Sequence, residues 1–577
     1  MGLRICLVTP FSWSQPHDVN EHVAGAAGAL RDLGHEVTVL APSNRAADLL
    51  AGRRALQDGA RPEVIALGPA VPISRRSRIG LPVGVRANLA LALARGDFDV
   101  VHGFEPGLPS LSYLALRDTR SLAVATFFSP DRLGYPPGRA QRKRLLARVD
   151  GLLSTSHETA AAADSRFPGD YQVVPLGVDT SLFAPTDKRK IAVCEWRVGE
   201  RPLTRAVISV FKELPDWELV LLRTKPLSGR PSIPHSLRDR IHVRTASSSA
   251  ARAPLLNEAQ IFVPGIAGLD RLELEARAAG NAIAAPPGVI EQPALAAAAL
   301  GRLAENDELR TSSQEEARQS AEFQSFAELG SRLDDVYRGL SGRRRARSRR
   351  QDPLSNRPWI VCDLHMHTSW SHDCLVDPEE LLDHAEEEGL GAIAVTDHNA
   401  FGGALEAVEL GRDRPLTVIL GEEIKTAGQG EVIGLFLKEE IPRGLTFGDT
   451  IAAIREQGGL VYLPHPFDRM HAIPDAATLH KHLAHIDVFE VYNARLLFEQ
   501  YNDEALRFAR KYNLTMGAGS DAHVLQGLGT GGLRMRAFRD PEEFLVSLRT
   551  AEILRRPRSL AYLQALKWKA QVKERVR

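Results

Sequence analysis

Toward the C-terminal third of this chain, seven apolar segments each end at or next to a histidine, aspartate or glutamate. They are residues 363–367, 396–398, 421–423, 430–431, 464–466, 490–493 and 520–523. In a barrel of parallel strands, the chemistry takes place where the strands end. Neutral imidazoles and carboxylates are the ligands of divalent metals that activate water. The pattern therefore predicts an α/β barrel with a metal-dependent hydrolytic site.

The spacing of the histidines supports shared ligation. His365 and His367 are two residues apart, so on a strand both side chains face the same way. Asp521 and His523 repeat this spacing in a later segment. Such pairs at several strand ends favour metal binding over isolated hydrogen-bonded histidines. The sequence contains neither GxSxG nor HExxH, so neither motif competes with this interpretation.

Chain length, net charge and cysteine content limit the classes of protein to which this chain can belong. A chain of 577 residues exceeds a single core and predicts two to four domains. The formal net charge is zero, so no overall field attracts nucleic acid or an anionic membrane. The four cysteines are scattered without a CxxC pair, which argues against a disulfide framework and against a thiolate zinc site. With a strand-like start and no apolar run of spanning length, we expect a cytoplasmic protein.

The first 340 residues alternate strand-like and helix-like segments. Strand-like segments 4–9 and 36–40 flank a helical stretch at 23–33, which predicts a βαβ unit with parallel strands. A second series of strands begins near residue 190, after a charged stretch containing Pro185. The pattern predicts two Rossmann-like domains in tandem.

Two basic segments lie outside these patterns. Residues 343–350 contain six arginines, which predicts a solvated linker, with phosphate or lipid-headgroup binding as the alternative. Residues 557–577 are basic with interspersed leucines and Trp568, which predicts an amphipathic surface helix. That helix either packs on the protein or makes peripheral contact with a membrane surface.

The C-terminal motifs resemble a known family. Segments 363–368, 371–373, 378–381 and 394–399, followed by 421–423, 465–466 and 519–523, resemble in order the motifs of the PHP (polymerase and histidinol phosphatase) domain. The resemblance covers about residues 359–545. It implies a distorted (β/α)7 barrel that binds two or three divalent metal ions, usually Zn, Mn or Fe.

The resemblance also implies a ligand set. One metal would take His365, His367, Glu423 and Asp521, with Glu423 bridging to a second metal held by His465, and a third would take Asp373, His398 and His523. Many members have a histidine near position 431, where this chain has Glu431; either Glu431 is a further ligand or the second site is weaker. His372 is the alternative to Asp373, and Asp363 and Asp397 either orient ligand imidazoles or cap local structure. Catalysis is assigned to His365, His367, Asp521 and His523.

The chemistry expected from these ligands is hydrolysis of a phosphate ester. Clustered dications lower the pKa of water and neutralise the ester oxygens. Lys425, Arg469 and Arg495 follow strand-end motifs and are candidate phosphate-binding residues. The alternative for each is an ordinary exposed surface cation.

The N-terminal segments resemble a different family. Segments 4–10, 19–23, 34–42 and 174–179 resemble retaining GT-B glycosyltransferases of the family 4 type, which includes actinobacterial phosphatidylinositol mannosyltransferases. The functional positions depart from that pattern: His17-Asp18 replaces a glycine pair, Phe128 a histidine, Pro202 a lysine and Ala267 a carboxylate, whereas Glu275 is kept. The losses weaken donor binding and predict a degenerate module that acts as a scaffold or binds a sugar, sugar nucleotide or lipid phosphate.

The resulting expectation is an α/β chain with five segments. These are two Rossmann-like GT-B domains at 1–185 and 186–340, an arginine-rich linker at 341–357, a PHP barrel at 358–554 and a basic tail at 555–577. The leading hypothesis is a PHP phosphoesterase acting on a small phosphate ester. The alternatives are an active glycosyltransferase with an accessory barrel, a PHP nuclease, although no strong nucleic-acid signal is present, and a binding protein with a structural metal.

Overall fold

The computed structural model describes residues 2–74, 77–79, 85–224, 231–265, 270–284, 292–344 and 352–576. The chain divides into two compact units, Met1–Ser341 and Gly342–Arg577. Most of the arginine-rich segment, residues 345–351, lies outside the described residues. Among the helices that are described, none is long and apolar enough to cross a membrane.

The first unit begins with a seven-stranded parallel sheet in the order β3-β2-β1-β6-β7-β8-β9, beside a hairpin of β4 and β5. Strands such as β6 and β7 are buried along their whole length, as expected of a parallel sheet covered on both faces. The strands are β1 (Arg4–Val8), β2 (Glu36–Ala41), β3 (Val64–Ala66), β4 (Val71–Ser74), β5 (Ser77–Ile79), β6 (Val100–Phe104), β7 (Leu122–Phe127), β8 (Gly151–Ser154) and β9 (Tyr171–Val173). The helices are α1 (Asp18–Asp32), α2 (Ala46–Asp58), α3 (Arg86–Gly96), α4 (Leu111–Asp118), α5 (Arg139–Leu146) and α6 (His157–Arg166).

A second parallel sheet completes this unit, with the order β12-β11-β10-β13-β14. The order is that of a Rossmann-like half, because the strands are added on one side of the first strand, β10, and then on its other side. The strands are β10 (Ile191–Glu195), β11 (Glu218–Arg223), β12 (Ile241–Thr245), β13 (Ile261–Val263) and β14 (Ala282–Ile283). The helices are α7 (Arg201–Val210), α8 (Ser249–Glu258), α9 (Asp270–Ala278), α10 (Pro293–Glu305), α11 (Asp307–Glu322) and α12 (Phe326–Ser341).

The second unit is one nine-stranded sheet in the order β21-β20-β19-β18-β17-β16-β15-β22-β23. The strands are β15 (Trp359–Met366), β16 (Ala392–Val395), β17 (Thr417–Lys425), β18 (Glu431–Leu435), β19 (Leu460–Leu463), β20 (Val488–Asn493), β21 (Met516–Gly519), β22 (Gly531–Arg536) and β23 (Glu552–Arg555). The helices are α13 (Pro378–Glu387), α14 (Gly402–Leu410), α15 (Phe447–Glu456), α16 (Ala476–His482), α17 (Glu499–Tyr512), α18 (Pro541–Leu548) and α19 (Leu560–Val576).

Seven of these strands, β15 to β21, curl into a barrel. The closing contacts are backbone hydrogen bonds from Asp521 N to His365 O (2.7 Å) and from His367 N to Ala522 O (3.0 Å). The predicted fold class, two Rossmann-like domains followed by a distorted barrel, is therefore confirmed. The barrel departs from an all-parallel arrangement at β18, which is antiparallel to both β17 and β19.

Local sequence explains how the helices around the barrel begin and pack. The carboxylate of Asp377 accepts a hydrogen bond from Glu379 N (2.9 Å), and Pro378 occupies the first turn of α13. Both features favour helix initiation. Leu381 and Leu382 then bury the inner face of the helix against the barrel unit.

A buried histidine in the first unit predicts a pH-dependent stability. His102 is fully buried, its ring contacts Tyr337 Oη and Thr126 Oγ1 at 2.6 Å each, and burial lowers its pKa to about 3. Below pH 6.5 the unfolded chain gains a proton at this ring that the folded chain does not. Between pH 7.5 and pH 5, the free energy of unfolding of this unit should therefore fall by about 2 kcal/mol more in the wild-type chain than in a His102→Gln variant. Urea unfolding midpoints of both proteins at both pH values test this. The same change in midpoint in the wild-type chain and the variant would contradict it.

Candidate functional site

Most of the predicted metal ligands meet at one end of the C-terminal barrel. They lie in or just after strands β15, β16, β17, β19 and β21: His365, His367, His398, Glu423, His465, Asp521 and His523. Glu431 reaches the same end by a different route. It is the first residue of antiparallel β18 and pairs in register with Lys425 at the end of β17. The reversed strand thus brings its beginning to the edge where the parallel strands end.

The ligand atoms form four overlapping groups in which all members lie within 4.8 Å of one another. The groups are His367/His398/His523, His365/His367/Asp521, His365/Glu423/His465 and His398/Glu423/Glu431. Asp373 is in none of them, but its Oδ2 lies 3.0 Å from His523 Nε2 and its Oδ1 lies 3.9 Å from His398 Nε2. All nine predicted ligands therefore adjoin one cluster, and their role as ligands stays a prediction.

Hydrogen bonds orient the His365 ring toward the cluster. Its Nδ1 lies 3.1 Å from Glu490 Oε1, an ionisable acceptor that also receives the Tyr462 hydroxyl at 2.8 Å. The Nδ1 proton is therefore donated to Glu490. That leaves the Nε2 lone pair facing inward, 3.3 Å from Glu423 Oε2.

The His367 ring is oriented in the same way by Ser371. The Ser371 hydroxyl donates its only proton to Asp397 Oδ1 at 2.6 Å, so it accepts from His367 Nδ1 at 3.2 Å. The opposite ring atom, His367 Nε2, is buried without a hydrogen-bond partner. It lies 3.5 Å from Glu423 Oε2 and 3.4 Å from Asp521 Oδ1.

This arrangement fits a bound cation. A nitrogen lone pair facing two carboxylate oxygens is repulsive, and a buried atom left unpaired is costly. A divalent ion between these atoms would convert the repulsion into coordination. The Glu490 carboxylate on the far side of the His365 ring is a partner that metal-binding histidines commonly use. The residues of this cluster therefore suit divalent metal binding.

The charges of the acids depend on positive neighbours. Burial opposes ionisation of Glu423, but the His365 and His398 rings outweigh it and hold its pKa well below the usual range. Burial likewise opposes the charge of Asp521, whose pKa is held well below its usual range by Arg495 and His365. Burial and the charge of Glu423 together raise the pKa of Glu431. Glu423 and Asp521 are thus ionised because neighbouring positive groups compensate their charge, whereas Glu431 is protonated more readily than an ordinary glutamate.

Two of these residues occupy strained backbone positions. His465 has φ of 25° and Asp521 has φ of 53°, in a region that residues with a Cβ rarely adopt. Such conformations cost about 1–3 kcal/mol and concentrate at functional sites. They turn both side chains inward directly after β19 and β21.

Asp363 and Asp397 act in different ways. Asp397 accepts the Thr368 amide and hydroxyl, both at 2.7 Å, and reaches His367 through Ser371. Asp363 instead accepts the backbone N–H groups of Ser520 (2.9 Å) and Gly529 (3.0 Å) and so fixes the loop after β21. Glu490 and Ser371 were within the predicted segments, but sequence reasoning assigned neither of them the orienting role that their hydrogen bonds indicate.

The three predicted phosphate-binding cations differ in position. Arg495 is beside the cluster, with Nη1 3.1 Å from both Asp521 Oδ1 and His523 Nε2. Lys425 is exposed at the end of β17. Arg469 is directed toward Glu504, with its Nη2 3.8 Å from the carboxylate. Of the three, Arg495 is the one that the structure brings to the clustered acids.

The N-terminal unit contains a buried charge cluster around Glu275. Arg252 is 1% exposed and donates to both Glu275 oxygens, from Nε at 2.5 Å and from Nη2 at 2.7 Å. Ser249 Oγ donates to Glu275 Oε1 at 2.6 Å, and Glu21 Oε2 lies 3.1 Å from Arg252 Nη2. The retained family carboxylate is therefore engaged by internal partners.

Two other departures in this unit have clear structural consequences. Phe128 packs edge-on against the His22 ring, with centroids 5.0 Å apart, where the family pattern has a polar imidazole. Pro202 lies in the first turn of α7 and has no side-chain donor. Ala267 lies outside the described residues.

Family models match part of each of the two units of the chain. A model of the PHP domain matches residues 363–519. The chain contains a PHP domain. A model described as PHP-associated matches residues 499–553, and the Glycosyltransferase Family 4 model matches residues 19–182. The predicted combination of a PHP domain with a family 4-like N-terminal region is confirmed.

Individual similar proteins include members of both kinds. An uncharacterized protein of Methanocaldococcus jannaschii is 36% identical over 144 residues, which are 23% of this chain and 84% of that protein. A phosphatidyl-myo-inositol mannosyltransferase of Mycolicibacterium smegmatis is 26% identical over 387 residues, 59% of this chain and 95% of that protein. The solved structure of a two-domain protein containing a predicted PHP-like metal-dependent phosphoesterase from Bacteroides vulgatus is 23% identical, covering 37% of this chain and 69% of that one, with a TM-score of 0.31.

Proposed function

We propose that the PHP domain, at about residues 358–554, is a phosphoesterase that hydrolyses a phosphorylated small molecule with the aid of two or three divalent ions. The observation that carries the proposal is the buried, unpaired Nε2 of His367 facing Glu423 and Asp521. The PHP-domain match supports it, because the matched segment contains most of the clustered residues. Zn, Mn and Fe are the candidate ions, since imidazole and carboxylate suit all three.

The clustered residues and their neighbours would have different roles. His365, His367, Glu423 and Asp521 would hold one ion, His465 and Glu431 adjoin Glu423, and Asp373, His398 and His523 form the remaining side. When bound, the ions lower the pKa of water and stabilise charge on the ester oxygens. Glu490 and Ser371 keep the Nδ1 protons in place, so the Nε2 atoms stay available. Arg495 donates to phosphate oxygens as negative charge accumulates.

A substrate screen tests this function. The purified full chain should hydrolyse p-nitrophenyl phosphate or another monoester or diester when supplied with Mn, Zn or Fe. Chelation with EDTA should abolish turnover, because the attacking water depends on the bound ions and the sequence has no GxSxG serine nucleophile. Turnover should return when the metal is restored. Hydrolysis that survives complete chelation would contradict the proposal.

For the N-terminal unit we infer a binding or scaffold role toward a sugar, sugar nucleotide or lipid phosphate. The internal pairing of Glu275 with Arg252 supports this role, as does the missing donor at Pro202. The second candidate function is sugar transfer, favoured by the family 4 match and by the mannosyltransferase relative. Clear transfer from a sugar nucleotide by the purified chain would establish that function instead.

A nuclease function is the third candidate. A net charge of zero gives no electrostatic attraction to a long nucleic acid. Steeply salt-dependent DNA binding, combined with cleavage, would favour it.

A further inference from the structure

The C-terminal helix lies against the metal-type cluster. Leu563 and Lys567 of α19 are four residues apart, on one face of the helix, and both line a cavity of about 420 Å³. Arg495, Asp521 and His523 line the same cavity. The tail is therefore a wall of the space beside the candidate catalytic residues.

One lysine of this helix reaches the cluster itself. Lys567 Nζ lies 2.8 Å from Asp373 Oδ2, and the lysine side chain is 13% exposed. The same Asp373 oxygen is 3.0 Å from His523 Nε2 and 4.0 Å from Arg495 Nη2. An ammonium group and a guanidinium group thus stand on one side of the cluster, both facing the cavity.

These positions suit a phosphate ester. Phosphate oxygens accept several charge-assisted hydrogen bonds, a guanidinium offers a planar pair of donors, and an ammonium adds a point charge with three donors. The remaining cavity wall includes Leu497, Val524 and Leu563, which are apolar. A site with converging cations at one end and apolar walls elsewhere matches a phosphorylated organic alcohol.

We propose that Lys567 is a substrate-binding residue of the PHP domain. With Arg495 it holds the phosphate group, and α19 forms the wall against which the organic part of the ester packs. The proposal rests on the phosphoesterase function. In the absence of phosphate the ammonium pairs with Asp373, and phosphate oxygens take over that contact when the substrate enters.

Inorganic phosphate is the probe, because it is the product of ester hydrolysis and binds without turnover. Calorimetric titration of the Mn-loaded full chain should give a Kd about 10- to 100-fold weaker for Lys567→Ala than for wild type. Lys567→Arg retains the cation and should bind within a few-fold of wild type. Lys569→Ala removes an exposed lysine of the same helix and should match wild type. In steady-state assays, Lys567→Ala should raise KM for p-nitrophenyl phosphate more than it lowers kcat.

Several results would overturn the inference. One is an unchanged Kd for Lys567→Ala, or for Lys567→Met if the alanine variant unfolds. Another is higher activity in Lys567→Ala or in a chain ending at residue 557, which would make α19 an inhibitory cover. Lysine-dependent phosphate binding without turnover of any ester would contradict the phosphoesterase function, and with it the substrate-binding role, and would leave Lys567 as a phosphate-binding residue only. Turnover with lysine-independent phosphate binding supports the function and overturns the inference.

Discussion

Replacing Glu423 with alanine should lower phosphoesterase turnover by about 10³-fold, equivalent to about 4 kcal/mol of transition-state stabilisation. Glu423 is fully buried at the centre of the cluster, with its oxygens 3.3 Å from His365 Nε2, 3.0 Å from His398 Nδ1 and 3.1 Å from His465 Nε2. Its loss removes the one carboxylate common to these imidazoles. Initial rates with p-nitrophenyl phosphate under saturating Mn measure the effect.

The neighbouring residue provides a matched control. Glu422 is on the opposite face of β17, where its Oε2 accepts the Ile441 N–H at 2.8 Å and burial raises its pKa to about 7. Glu422→Gln keeps the acceptor and resembles the protonated acid, so turnover should remain within a few-fold of wild type. Equal losses in the two variants would show that Glu423 acts through folding alone.

Replacing Arg252 with methionine should destabilise the N-terminal unit by about 3–5 kcal/mol. The change removes the guanidinium that is hydrogen-bonded to the carboxylates of both Glu275 and Glu21, and Glu275 is fully buried. Denaturant unfolding of the full chain, followed through the transition of this unit, measures the loss.

A double variant separates charge from packing. Arg252→Met combined with Glu275→Gln removes the stranded charge, so it should recover part of the stability lost in the single variant. If Arg252→Met lowers the free energy of unfolding by less than about 1 kcal/mol, this would contradict a buried ion pair between Arg252 and Glu275. The same cluster explains why the retained carboxylate gives weak support to sugar transfer, because its oxygens already have internal donors.

Much of the fold was predictable because apolar patterning and chain direction follow simple rules. The predicted strands at 4–9 and 36–40 correspond to β1 (Arg4–Val8) and β2 (Glu36–Ala41), and the alternation with helices predicts their parallel pairing. The direction of β18 was not predictable in this way. Its short apolar run resembles the others, and its reversal depends on the tight connection from Lys425 to Glu431 in the barrel.

The candidate site was predictable where residues share a strand end and not where contacts are long-range. His365 and His367 follow from their spacing alone. The pairing of Lys567 with Asp373 joins residues 194 positions apart and depends on where α19 packs. Likewise, the orienting role of Glu490 toward His365 needs the register of strands 125 positions apart in sequence. No local pattern encodes either contact.

Metal binding by the cluster can be measured as the metal content of the purified full chain, by elemental analysis after loading with Mn, Zn or Fe and removal of free metal. We expect two or three divalent ions per wild-type chain, and at least one ion fewer in a His365→Ala, Asp521→Ala double variant that remains folded. A wild-type chain that retains no divalent ion, or a double variant that retains the full complement, would contradict this expectation.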